Sequence, residues 1–181
     1  KMTTNKGAFE EWSVPQGEAT KVFEVYIEAL KIQNQYYSVK GNPEIIQSNY
    51  RSILDTQAKY FHTADIAPDF MAYLATLEEK AQDDERRIEI IDYYEFIGDT
   101  YTQLEETGNA GEAYDEAIEL FYEIIATGTE DKIDKSRYYL EIGELYNKQK
   151  EFDNLLSVFR EFMTFFFENK IFLDEENWYE I

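Results

Sequence analysis

Apolar residues recur every three or four positions along almost the whole chain, and no strand-like alternation of useful length interrupts them. The pattern therefore predicts helices throughout. A first helix is expected over about residues 15–37, with Val22, Tyr26, Ala29, Leu30 and Tyr37 at helical spacing. Ser13 followed by Gln16 resembles a capping box ahead of it. Gly41-Asn42-Pro43 breaks the pattern, and Pro43 suits the first position of the next helix, where its missing N–H costs nothing. That second helix is expected over about residues 43–62, with Ile46, Tyr50, Ile53, Leu54, Ala58 and Phe61 on one face and His62 at its end. A third starts at Ala67-Pro68-Asp69, carries Phe70, Met71, Leu74 and Leu77, and ends in the charged stretch 78–87. The fourth covers about 84–106 and is stopped by Thr107-Gly108-Asn109. The fifth, sixth and seventh cover about 110–126, 131–148 and 151–168. Residues 1–12 are polar, with Phe9 and Trp12 as docking points, and residues 173–181 are expected to add a turn or two of helix.

Within this series one unit is written twice. Tyr94-x-x-Ile97-Gly98-x-x-Tyr101 returns 45 residues later as Tyr139-x-x-Ile142-Gly143-x-x-Tyr146. Each copy is followed by a second apolar segment: Ala113, Ala117, Ile118 and Phe121 in one, Leu155, Phe159 and Phe162 in the other. A repeated helix pair is the mark of a stacked helical array. The chain accordingly divides into a flexible segment 1–12, N-terminal helices 13–82 (a bundle or degenerate repeats), and helix pairs with a C-terminal capping segment over 83–181.

The two units resemble the tetratricopeptide repeat (TPR) family across roughly residues 84–168. The family's pattern is a bulky residue, an aliphatic-Gly pair and a Tyr on the first helix, with small residues on the second. Leu155 and Phe159 stand where small residues are preferred, which implies looser packing in the second unit. The 45-residue spacing, against about 34 in the family, implies helices lengthened by about one turn. The resemblance implies an all-α fold, with antiparallel helix pairs stacked as a short TPR-like solenoid behind an N-terminal helical bundle. Such a layout also resembles the peptide-sensing regulators of Gram-positive bacteria. It further implies that Asp92, Glu95 and Asp99 on the fourth helix, and Arg137, Leu140, Glu144, Asn147 and Lys148 on the sixth, face an inner groove. One subclass of the family grips C-terminal carboxylates with cationic groove residues. Here Glu95, Asp99 and Glu144 reverse that charge, so that activity is not expected.

Charge narrows the partner. The net charge is -21, and residues 88–131 hold 13 acidic side chains without one Lys or Arg. Such a field repels nucleic-acid phosphates and anionic headgroups and attracts basic polypeptides. No apolar run approaches the roughly 20 residues of a membrane span. Lys1–Glu11 lack the apolar stretch of a secretory signal. A hydrophobic fraction of 44% excludes intrinsic disorder of the whole chain. The lack of Cys removes disulfides and thiolate metal sites and matches a reducing, cytoplasmic location. His62 is the one histidine, so two-His metal motifs find no members; a Ser-His-Asp triad could use only His62, and no Gly-x-Ser-x-Gly elbow occurs. Carboxylate pairs such as Asp83-Asp84 and Glu105-Glu106 are expected by chance in so acidic a chain. No cofactor, metal or catalytic residue is expected.

The sequence thus points to a non-enzymatic scaffold that holds a basic peptide or protein segment in an acidic groove formed by Asp92, Glu95, Asp99, Gln103, Glu144 and Asn147. The alternatives are an acidic mimic of nucleic acid that blocks a basic nucleic-acid-binding protein, and a structural subunit acting through its C-terminal aromatic surface. The run Phe162 to Phe167 is apolar nearly all round. Either Leu173, Trp178 and Tyr179 cover it, or it forms a homodimer through Phe162, Phe165 and Phe166. A solvated acidic face without a partner remains the plain reading of the charge.

Overall fold

The computed structural model describes residues 16–81, 83–127 and 131–169. Among these residues the chain is all helical: α1 (Gln16–Lys40), α2 (Pro43–Thr56), a π-helical turn (Gln57–Phe61), α3 (Ala67–Glu78), α4 (Asp84–Gln103), α5 (Thr107–Thr127), α6 (Lys132–Gln149) and α7 (Phe152–Glu168). Phe9, Trp12, Ser13, Leu173, Trp178 and Tyr179, and with them the expected N-terminal cap and C-terminal cover, lie outside the described residues. The chain forms two compact units, one ending at Asn49 and one beginning at Tyr50.

In the first unit, α1 runs three residues past the expected end at Tyr37. Gly41, with φ 70°, then turns the chain, and the Asn42 N–H donates to the Tyr37 carbonyl at 3.2 Å. The helix has two apolar faces where the periodicity suggested one. Phe23, Leu30 and Asn34 are buried, and Asn34 Oδ1 accepts from Asn49 Nδ2 at 2.8 Å. Val22, Tyr26 and Ala29, expected beside Leu30, are exposed. Val22 and Ala29 belong to a second stripe beside the first, while Tyr26 lies at the margin of the first, its ring 6.3 Å from that of Phe23.

The second unit begins with aromatic packing. Tyr50 stacks on Phe70 with ring centroids 5.0 Å apart, and Phe70 meets the edge of Tyr93 at 5.4 Å. The π-helical turn ends at His62, whose backbone is left-handed. The buried Gln57 side chain accepts from the Ile66 N–H at 3.0 Å and ties this turn to the start of α3. Asp83 caps α4 through the Arg86 N–H, and Asp131 caps α6 through the N–H groups of Ile133 and Asp134. Both satisfy amide donors that the first helical turn leaves open.

The stop after α4 differs from expectation. Thr107-Gly108-Asn109 is not the turn but the first turn of α5, and α4 ends at Gln103. The reversal is made by Glu105, in the left-handed region at φ 63°, with the Glu106 N–H donating to the Tyr101 carbonyl at 2.9 Å. Forty-five residues on, the same device recurs. Lys150 has φ 63°, and the Glu151 N–H donates to the Tyr146 carbonyl at 2.9 Å. Asn109 donates to the Glu106 carboxylate at 2.7 Å, and Asn154 to that of Glu151 at 2.6 Å. The repeat therefore keeps one register from Tyr94 into α5. In that register Ala110 and Ala113 correspond to Leu155 and Val158.

Side chains link successive helices. Phe121 of α5 packs on Tyr138 of α6 at 5.5 Å, and the Tyr122 hydroxyl donates to Glu161 of α7 at 3.1 Å. Tyr139 packs on Phe165 at 5.5 Å. Helix α7 is amphipathic over its length, and its apolar run 162–167 is only partly covered. Phe162, Phe165 and Phe166, the expected dimer contacts, are half-buried, while Phe152, Leu156, Phe159, Met163 and Phe167 are exposed.

Candidate functional site

Helix α4 places the site because its periodicity sorts it cleanly. Ile90, Ile91, Tyr94, Ile97, Gly98 and Tyr101 are buried, and they leave Asp92, Glu95, Asp99 and Gln103 on another side. Asp92 and Gln103 are exposed, whereas Glu95 and Asp99 are half-buried. Lys148 of α6 reaches across to this side. Its Nζ donates to Asp99 Oδ1 at 2.9 Å and lies 3.9 Å from Glu95 Oε2. The Tyr114 hydroxyl from α5 also donates to Asp99 Oδ1, at 2.7 Å, and lies 3.1 Å from Thr102 Oγ1. The Lys148 ammonium stands 5.5 Å from the centre of the Tyr114 ring, within cation–π range.

Loss of water dominates the electrostatics. It pushes the Glu95 carboxyl up to about 7; Lys148 opposes this, and Glu141, Asp92 and Asp99 add to it. Glu141 of α6 is raised by partial desolvation and by Glu144, with Lys148 again opposing. Asp92 is raised by partial desolvation and held back by Arg51 of α2, whose guanidinium sits 4.7 Å from the centre of the Phe96 ring. The Tyr114 hydroxyl is pushed up by burial and by its bond to Asp99. Carboxylates of two repeat units therefore share one face and repel one another, and the nearby cations do not cancel the penalty.

Of the expected residues, the structure brings Glu95 and Asp99 together and sets Asp92 within their field. Glu144 is exposed and acts on Glu141, while Gln103 and Asn147 are exposed one turn further along α4 and α6. Sequence reasoning missed Arg51, Tyr114 and Glu141. Glu141 was legible three residues before Glu144 on the same helix, whereas Arg51 and Tyr114 arrive from other helices. Among the described residues, no group of metal-ligating side chains is suited to an ion, and no helix is long and apolar enough to cross a membrane. Comparison with known proteins finds no matching family model, no matching curated protein and no matching solved structure.

Proposed function

We propose that the chain is a non-enzymatic scaffold that holds a basic peptide or protein segment against the acidic face of α4 and α6. The observation that carries this reading is the convergence of Asp92, Glu95, Asp99, Glu141 and Glu144 from two helices, with Glu95 pushed up to about 7. A cationic side chain docked there relieves a repulsion that the fold leaves in place. Lys148 occupies part of the face as an internal cation and sets the geometry a ligand's ammonium or guanidinium would copy. In the same reading, α4–α5 and α6–α7 are two TPR-like pairs. The repeated Glu105 and Lys150 turns and the close approaches at Gly98 and Gly143 support that reading.

Calorimetric titration with an Arg- and Lys-rich peptide at low and high salt tests the proposal. Affinity is expected to fall steeply with salt, because exposed charges are screened beyond about 8 Å at physiological ionic strength. Affinity that is absent or indifferent to salt removes the acidic face from the function. A second reading, a structural assembly subunit, draws on the exposed apolar stripe of α7.

A further inference from the structure

The second apolar stripe of α1 has no role in the acidic face. It consists of Val22, Val25, Ala29, Ile32, Tyr36 and Val39, spaced 3, 4, 3, 4 and 3 residues apart. All six are exposed, Val25 at 71%, Ile32 at 60% and Val39 at 87%. An unbroken alternation of three and four is the seam spacing of a coiled coil, two apolar positions per heptad. The helix already has a buried face in Phe23, Leu30 and Asn34, so the seam is not needed to hold α1 in its unit. Large apolar surfaces of this kind mark interaction sites.

We propose that a second copy of this chain covers the seam, α1 pairing antiparallel with α1 in a two-helix coiled coil. Layer volumes favour that direction. Antiparallel pairing sets Ala29 against Ile32, Val25 against Tyr36 and Val22 against Val39 of the second copy, so each layer is evenly filled. Parallel pairing sets Ala29 on Ala29 and Tyr36 on Tyr36, one layer hollow and one crowded. Charge favours it too. Over residues 20–40, the N-terminal half carries Lys21, Glu24 and Glu28, and the C-terminal half only Lys31 and Lys40. Antiparallel pairing lays the net negative half on the net positive one.

The seam also lies on a helix without net charge, where copies repel less than the whole chain would. The chain carries a net charge of -21, yet α1 holds three Lys and three Glu. The exposed stripe of α7 lies beside Asp153, Arg160, Glu161 and Glu168, a net negative helix. The proposal does not rest on the acidic-face reading, and each can fail alone.

Sedimentation equilibrium of the chain is expected to give a concentration-dependent dimer. Ile32→Glu is expected to raise the dimer Kd at least about tenfold, with the helical circular dichroism unchanged, since Ile32 is exposed. Met163→Glu on α7 is expected to leave the dimer intact. The chain has no Cys, so introduced thiols report direction. Val22→Cys and Val39→Cys proteins are each expected to resist oxidative cross-linking alone and to link when mixed. Equivalent positions then lie roughly 25 Å apart along the pair, beyond disulfide reach. A monomer at all concentrations overturns the proposal and leaves the seam to another chain or to residues 1–15. A dimer that survives Ile32→Glu, one dissolved by Met163→Glu, or Val22→Cys cross-linking with itself overturns it as well.

Discussion

A Cβ built on Gly98 would lie 2.5 Å from Cε1 of Tyr114, inside the ring's contact surface. The ring cannot easily withdraw, because its hydroxyl donates to Asp99 and lies beside Thr102. Helices α4 and α5 thus approach over a missing side chain. Gly143 occupies the equivalent place in the next pair, but its nearest neighbours are looser: Val158 Cγ1 at 3.6 Å is in ordinary contact, and Leu155 Cδ1 at 3.3 Å, the tip of a flexible side chain, must give only a few tenths of an ångström to admit a methyl group. Gly98→Ala is expected to cost about 1–3 kcal/mol by overpacking. Gly143→Ala is expected to be near neutral, its strain offset by roughly 0.5–1 kcal/mol from replacing a helical glycine. Denaturant midpoints measure both. In a Tyr114→Ala background the Gly98→Ala cost should shrink by about 1 kcal/mol or more. An unchanged cost in that background would show that the ring is not the obstacle.

Glu95 predicts the direction of the pH dependence. Its folded value of about 7 lies above the ordinary 4.5. The native state therefore binds this proton more readily than the unfolded chain. Ionised Glu95 weighs against folding above pH 7, and its contribution improves as pH falls from about 7 towards 4.5. Asp92, Glu116 and Glu141 are raised by desolvation in the same direction. Thermal stability should accordingly rise between pH 8 and pH 5. Glu95→Gln should raise Tm at pH 8 by roughly 2–4 °C, for a gain of about 1 kcal/mol, and change little near pH 5. A variant that melts lower than the parent at pH 8 would mean that Lys148 more than compensates the buried charge.

The helices and the repeat were legible because a 3.6-residue period and a recurring Ile-Gly pair survive in one dimension. What escaped was carried by conformation or by distance across the fold. The turns at Glu105 and Lys150 are left-handed without glycine, so no residue type announces them, and Gly108 drew the stop signal instead. In α1 the seam and the buried stripe sit side by side, and a single apolar face cannot be separated from two by spacing alone. The acidic stretch 88–131 has no Lys or Arg along the chain, yet Arg51 and Lys148 approach it from α2 and α6. Asp92, Glu95 and Asp99 were found by helical spacing. Lys148 shares the expected groove with them, but its bond to Asp99 and the approach of Arg51 required the fold.

Lys148 should act as a competitor of the ligand. It bonds Asp99, lies near Glu95 and is itself half-exposed, so losing the pair should cost no more than about 1 kcal/mol of stability. Lys148→Met keeps most of the stem and removes the charge. The affinity of a basic peptide should then rise several-fold at low salt, with little change in the denaturation midpoint. Weaker binding by this variant would place the peptide elsewhere.

Removing carboxylates from the site itself separates capture from general charge. Asp92→Asn, Glu95→Gln and Asp99→Asn together delete three charges on one side of α4 and preserve shape. The amide that replaces the Asp99 carboxylate keeps an oxygen to accept the Tyr114 hydroxyl. The matched control deletes the same number from α5 through Glu112→Gln, Glu116→Gln and Glu123→Gln, all exposed residues away from the Lys148 contact. At pH 8, above the Glu95 value of about 7, both triples change the net charge nearly equally, so long-range steering, which acts on association, should respond alike. Contact at the α4 face should make only the first triple weaken the complex, by at least about tenfold and mainly through faster dissociation. Stopped-flow association and dissociation rates with the Arg- and Lys-rich peptide resolve the two contributions. Equal losses from the two triples would leave a diffuse acidic surface, with no particular role for Asp92, Glu95 and Asp99.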